Sequence, residues 1–160
     1  MMAALNASTS IKLLSYNCRG VNEYKKGYLR TLLARCDVLF IQEHWLTDLQ
    51  ISDLSAISED HSVRGVSGFE QNEVLRGRPY GGCAIFWRQS LNAKITAVDT
   101  GSRRVYAMRC CFEFGSLLFI NVYLPSESDD DSSEEFTLQL SIIDNVIEQN
   151  CDCHIILGGD

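Results

Sequence analysis

The chain has 160 residues, 46% of them hydrophobic and 22% charged, and a net charge of −7, which suits one globular domain with a real core and leaves little room for two. No apolar run approaches the ~20 residues that cross a bilayer, and the opening MMAALNASTS has neither a basic start nor a long apolar segment. Neither a membrane span nor a secretory signal is therefore predicted, and the expected location is intracellular, nuclear or cytoplasmic.

In chain order, residues 1–10 are small and polar and read as a disordered lead-in. Ile11–Asn17 is a short strand that ends in Asn17-Cys18-Arg19-Gly20, a turn. Glu23–Arg35 places Tyr24, Tyr28, Leu29, Leu32 and Leu33 at helical spacing. Asp37–Gln42 is an apolar strand closing in Gln42-Glu43-His44-Trp45. Strand, helix and strand with short links predict a right-handed parallel crossover, which puts both strand ends on one edge and brings Asn17 near Glu43. Asp48–Asp60 is weakly patterned, with room for a short helical turn. Gly65–Gly82, with five Gly, Pro79 and the basic pair Arg76 and Arg78, reads as a loop. Strands are predicted over Gly82–Arg88 and Asn92–Val98. Arg104–Phe114 sets Tyr106, Met108, Cys110 and Phe112 against Arg109 and Glu113, a strand with one wetter face, and a tight turn at Glu113–Ser116 leads into its hairpin partner.

That partner, Leu117–Leu124, is apolar on both faces, as in a strand buried inside a sheet. Asn121 and Tyr123 are polar positions at its exit, just before Pro125. Taken alone, Tyr123 reads as a packed ring with a local hydrogen bond. Glu127, Asp129, Asp130, Asp131, Glu134 and Glu135 then carry six negative charges within nine residues, and the balance without them is −1. The net charge thus neither supports nor excludes a nucleic-acid substrate. The acids lack EF-hand spacing and suit a solvated loop at a helix N-terminus, with Ser132 and Glu135 as a capping box. Phe136, Leu140, Ile143 and Ile147 form the predicted core stripe of the helix that follows, and His154–Leu157 is a last strand closing in Gly158-Gly159-Asp160. The seven Cys are odd in number and lie mostly in apolar strands, the usage of reduced intracellular thiols. Cys151, Cys153 and His154 lack a second ligand pair for zinc.

Four polar residues thus stand at strand exits: Asn17, Glu43, Tyr123 and Asp160. Two carboxylates and an amide at converging strand ends are what one hard divalent cation and one activated water require. The segments LLSYNCRG, LFIQEHW, YGGCAIFW, NVYLP and ILGGD occur in this order. They resemble the successive motifs of the endonuclease/exonuclease/phosphatase superfamily, whose fold is that of deoxyribonuclease I and the apurinic/apyrimidinic endonucleases. YNCRG with QEHW is most similar to the endonuclease domain of non-LTR retrotransposon polyproteins.

The resemblance covers about residues 11–160. It implies an α/β fold, the N-terminal half of a four-layer α/β sandwich with a mixed sheet and flanking helices. It makes Glu43 the principal ligand of Mg²⁺, with Mn²⁺ as the alternative, and puts Asn17 in the metal and phosphate site. It sets Tyr123 against the scissile phosphate, gives Asp160 the role of positioning or deprotonating water, and gives Arg104 a substrate contact. The implied activity is nicking of DNA to prime reverse transcription, with no membrane and no small organic cofactor. Rival readings are a phosphomonoesterase acting on inositol phosphates or lipids, and a non-catalytic mobile-element remnant or interaction module.

The departures from the family matter equally. The Asn expected two residues after Asp160 is not matched, nor is a Ser-Asp-His motif, and His44, His61 and His154 fit none of it. The domain over residues 11–160 is therefore expected to be truncated, lacking a second sheet, and inactive on its own. A half-sandwich would leave one sheet face uncovered, with Tyr106, Met108, Phe112 and Phe119 as candidates for it.

Overall fold

In the computed structural model, which describes residues 10–69, 80–125 and 132–160, two four-stranded mixed sheets lie face to face between helices. The lead-in (residues 1–9), the segment 70–79 with Arg76, Arg78 and Pro79, the acidic loop (126–131) and the Ser132 side chain lie outside the described residues.

The first sheet contains β1 (Leu13–Asn17), β2 (Val38–Gln42), β3 (His61–Val66) and β4 (Cys83–Arg88), in the order β1-β2-β4-β3. Helix α1 (Glu23–Leu33) makes the predicted crossover, and β1 pairs with β2 in parallel. Asn22 caps α1 through its side chain, which accepts the Lys25 N–H at 2.9 Å. The second sheet is β5 (Lys94–Val98), β6 (Val105–Phe112), β7 (Gly115–Val122) and β8 (His154–Gly159), in chain order. The first three strands form an antiparallel meander that includes the predicted hairpin. Helix α2 (Ser132–Glu148) returns the chain so that β8 joins β7 in parallel. Each sheet thus holds one strand–helix–strand crossover.

Three apolar clusters hold the layers. Leu29, Leu33, Leu39, Ile41, Leu54 and Phe86 fill the space under α1. Val38, Phe40, Cys83 and Ile85 of the first sheet meet Tyr106, Met108, Cys110 and Phe119 of the second. Leu118, Ile120 and Val122 meet Ile143 and Val146 of α2. No helix among the described residues is long and apolar enough to cross a membrane.

Several local expectations change. The second sheet expected to be missing is present: Tyr106, Met108 and Phe119 are buried between the two sheets and Phe112 packs against the same cluster, so this face is not left uncovered. On the second sheet, exposed apolar side chains include Ile155 and Leu157 of β8, which forms an edge. The wetter face of β6 is confined to its far end, because Val105 and Ala107 are covered by the α2 layer. Residues 61–66, part of which read as a loop, form β3. Gly65 there marks a close approach and not a turn, since a Cβ would come within 2.4 Å of the Cys83 carbonyl oxygen on the paired strand. Asp48–Ile57 is a ten-residue 3₁₀ helix whose buried Ile51, Leu54 and Ile57 recur every three residues, the period of that helix. Helix α2 is rotated from the predicted stripe: Ile143 and Val146 are buried, whereas Phe136 and Leu140 are 39% and 42% exposed. The buried place near its start belongs to Gln139, which accepts from Ser102 Oγ at 2.6 Å.

The inter-sheet cluster gives a direct stability test. Phe119 is fully buried, with its ring 5.9 Å from that of Phe40. Phe119→Ala is expected to cost about 3–5 kcal/mol, read as a lower urea midpoint at unchanged slope.

Candidate functional site

All five residues singled out from the sequence meet at one end of the sandwich. Asn17 is the last residue of β1, and Glu43, Tyr123 and Asp160 directly follow β2, β7 and β8. Asn17 and Glu43 therefore belong to the first sheet, and Tyr123 and Asp160 to the second. The Asn17 side-chain Nδ2 donates to Glu43 Oε1 and to Asp160 Oδ2, both at 2.7 Å. Its Oδ1 accepts the Arg19 N–H at 3.0 Å, which fixes which way round the amide sits. One amide thus joins two carboxylates carried by different sheets, through hydrogen bonds strengthened by the charge of the acceptors.

Glu43 accepts further donors. The Trp45 indole Nε1 reaches its Oε2 at 3.3 Å, and the Tyr123 phenol is hydrogen-bonded to it. Partial burial, followed by the Glu43 charge and hydrogen bond, pushes the Tyr123 phenol above its ordinary value. Arg104 opposes this and Asp160 adds to it. Tyr123 is accordingly a hydroxyl donor at neutral pH. Arg104 lies over the Tyr123 ring, 5.5 Å from its centroid, and is held by Tyr123 O at 3.4 Å and by Glu135 Oε1 at 3.5 Å. The carboxylate assigned to a capping box therefore also reaches across to Arg104.

The turn that presents Glu43 is strained. Glu43 and Trp45 adopt φ values of 52° and 57°, costing about 1–2 kcal/mol each for residues with a Cβ. Backbone bonds hold the turn on both sides: Cys18 N to Gln42 O, Gly20 N to Glu43 O, Val21 N to His44 O and Trp45 N to Gly81 O, at 2.7–3.1 Å. Gly20 must lack a side chain, because with φ at 86° its Cβ would stand 2.2 Å from the Trp45 ring. His44 is fully buried beneath the turn; its Nδ1 accepts the Leu46 N–H and its Nε2 donates to Val66 O, both at 3.0 Å. Both ring nitrogens are in use, so His44 is a structural prop. His61 is also buried, between Ser58 and the Cys36 carbonyl, and His154 begins β8 at the end of that strand away from Asp160.

Behind the site two amides face each other across the sheets. Asn121 Nδ2 donates to Ile41 O at 2.8 Å and Ala84 O at 2.9 Å, and its Oδ1 accepts from Gln42 Nε2 at 2.6 Å. Gln42 also donates to Ser15 Oγ at 3.1 Å. Both amides are fully buried. Sequence reasoning marked Asn121 only as a polar exit residue and passed over Gln42 and Trp45. The available signal was a polar side chain on an otherwise apolar face, which asks for a partner across the core.

The donor set suits a hard divalent cation. Glu43 and Asp160 offer carboxylate oxygens that converge on one nitrogen, and Mg²⁺ takes only one or two carboxylates from a protein. No group of three or more His, Cys, Asp or Glu side chains converges among the described residues.

Comparison with known proteins gives the family and the fold. The sequence profile of the Endonuclease/Exonuclease/phosphatase family matches residues 14–160. Among solved structures, humanized D. rerio TDP2 superposes with a TM-score of 0.66 at 21% identity, over 94% of this chain and 61% of that one. The 3′ phosphatase NExo from Neisseria, bound to product DNA hairpin, gives 0.61 at 18% identity, over 94% and 57%. The endonuclease domain of TRAS1, a telomere-specific non-LTR retrotransposon, gives 0.62 at 12% identity, over 94% and 59%. The chain therefore spans about three-fifths of the length of these structures, and at such identities the likeness shows the fold alone. No curated protein sequence matches it.

The prop beneath the turn makes stability depend on pH. Burial pulls the His44 imidazole from 6.5 down to about 4, against the opposing pull of the Val66 carbonyl and Asp48. With the folded value depressed, the neutral ring's contribution is complete above pH 6.5 and is lost as the pH falls toward 4. Urea unfolding is expected to show a loss of about 3 kcal/mol across that window, most of it absent in His44→Gln.

Proposed function

The chain belongs to the Endonuclease/Exonuclease/phosphatase family, and from that premise we propose that its site serves Mg²⁺-dependent hydrolysis of a phosphodiester in DNA, of the nicking kind used by retrotransposon endonucleases. The observation that carries this reading is the Asn17 amide shared by Glu43 and Asp160, which sets two carboxylates at one point where four strand ends meet. Glu43, with Asp160 beside it, would hold the cation. Mg²⁺, or Mn²⁺ in its place, supplies positive charge against a phosphoryl oxygen.

The remaining chemistry lies in side chains of the chain itself. Tyr123, kept protonated by its surroundings, donates toward an oxygen whose negative charge grows in the transition state. Arg104, stacked on Tyr123, contributes a fixed cation on the same side. Asp160, at the open end of β8, orients the attacking water and accepts its proton, while Asn17 holds it relative to Glu43. None of the three His reaches this constellation, so the proposal includes poor turnover by these 160 residues alone.

Two neighbours lend support. One is the endonuclease domain of TRAS1, a telomere-specific non-LTR retrotransposon, and the other is D. rerio TDP2 complexed with single-strand DNA product. With protein in excess over supercoiled plasmid, slow Mg²⁺-dependent appearance of the nicked form is expected, abolished by chelation and at least about tenfold slower in Glu43→Gln. Release of inorganic phosphate from inositol phosphates, with the plasmid untouched, would replace this reading by the phosphomonoesterase one. Neither hydrolysis nor Mn²⁺ binding would favour the non-catalytic one.

A further inference from the structure

We infer that Gln42 and Asn121 are positioning residues: the inter-sheet amide contact between them sets the Asn17–Glu43 half of the site in register with the Tyr123–Asp160 half. The reasoning is geometric. Gln42 is the residue before Glu43, and Asn121 lies two residues before Tyr123. The two halves hang from different sheets, and the surfaces between those sheets are mostly apolar, with the Cys83 thiol reaching Arg104 O at 3.4 Å as a weaker polar contact. Apolar packing tolerates small slips, whereas hydrogen bonds of fixed length and angle do not.

The contact has one arrangement only. Asn121 Nδ2 faces two carbonyl oxygens, Ile41 O and Ala84 O, so its Oδ1 must face Gln42, and Gln42 must answer with Nε2 at 2.6 Å. Ile41 and Ala84 are themselves paired across β2 and β4. Asn121 therefore grips two strands of the opposite sheet and the Gln42 side chain together. No protein donor among the described residues reaches Gln42 Oε1. An amide pair of this kind is a demanding way to fill a core and a good way to orient one.

The inference rests on the hydrolytic reading for what the alignment is for, but the alignment itself can be read without activity. Asn17 Nδ2 carries one proton toward Glu43, on its own sheet, and one toward Asp160, on the other. Nitrogen–proton correlation spectra resolve both once they are assigned by loss in Asn17→Asp. In Asn121→Leu, and in the Gln42→Leu/Asn121→Leu pair, which restores an apolar core without unpaired amides, the proton facing Asp160 should move to a solvent-like shift. It should also exchange about tenfold faster, while the proton facing Glu43 stays. Met108→Ala, a cavity in the same inter-sheet cluster away from the amides, should lower the melting temperature and move neither proton.

Mn²⁺ affinity should fall about 10–100-fold in the amide variants and hold in Met108→Ala. Unmoved Asn17 protons in the double variant would overturn the inference and leave the amides as core filler. Equal movement in Met108→Ala would overturn it as well. An unaltered chain that binds no Mn²⁺ would count against the hydrolytic reading, and the Asn17 spectra would still decide the positioning.

Discussion

The site depends on one constraint: two separately built sheets must meet in a single register. Each sheet carries a parallel strand–helix–strand unit, β1-α1-β2 in one and β7-α2-β8 in the other, with its candidate site residues at the ends of those strands. Strand pairing fixes Asn17 relative to Glu43, and separately Tyr123 relative to Asp160. It cannot fix one pair relative to the other. That is done across the inter-sheet space by the stacked apolar side chains, by the Asn121 amide gripping β2 and β4, and at the rim by Asn17 reaching Asp160.

The same end of the sandwich is where the backbone departs most from regular geometry. Left-handed conformations at Arg19, Glu43 and Trp45 gather there, with Gly20, Gly81 and Gly82 alongside. Such conformations persist only where neighbours over-determine them. Here the neighbours are short backbone bonds from residues 18–21 and from Gly81, and a buried neutral imidazole bonded at both nitrogens. The gain is orientation: Glu43 leaves the sheet turned toward Asn17, with the Trp45 indole and the Tyr123 phenol completing its ring of donors.

The periphery around this core of donors is polar and tied to the outer layer. Arg104 is shared between Tyr123 and Glu135, and Ser102 bonds Gln139 on the same helix, so the start of α2 is fastened to the loop before β6. That fastening explains why α2 turns Gln139 inward and leaves Phe136 and Leu140 outside. A helix read from its apolar residues alone is read as though its partner surface were apolar along its whole length.

The sequence by itself determined the local elements and which polar residues stand at the strand exits. The crossover through α1, the β6–β7 hairpin and the strand exits at Asn17, Glu43, Tyr123 and Asp160 follow from periodicity and from turn residues, because these are short-range properties of the chain. The ordered motifs carried the family. Tertiary structure alone decided what depends on distant partners. It made β3 a strand through pairing with β4, covered Tyr106, Met108 and Phe119 with the first sheet, and turned α2 to suit the polar loop before β6. It also turned Gln42 and Asn121, 79 residues apart, into neighbours. A hydrogen bond between side chains on different sheets leaves no periodic trace in either strand, so only the folded chain could reveal it.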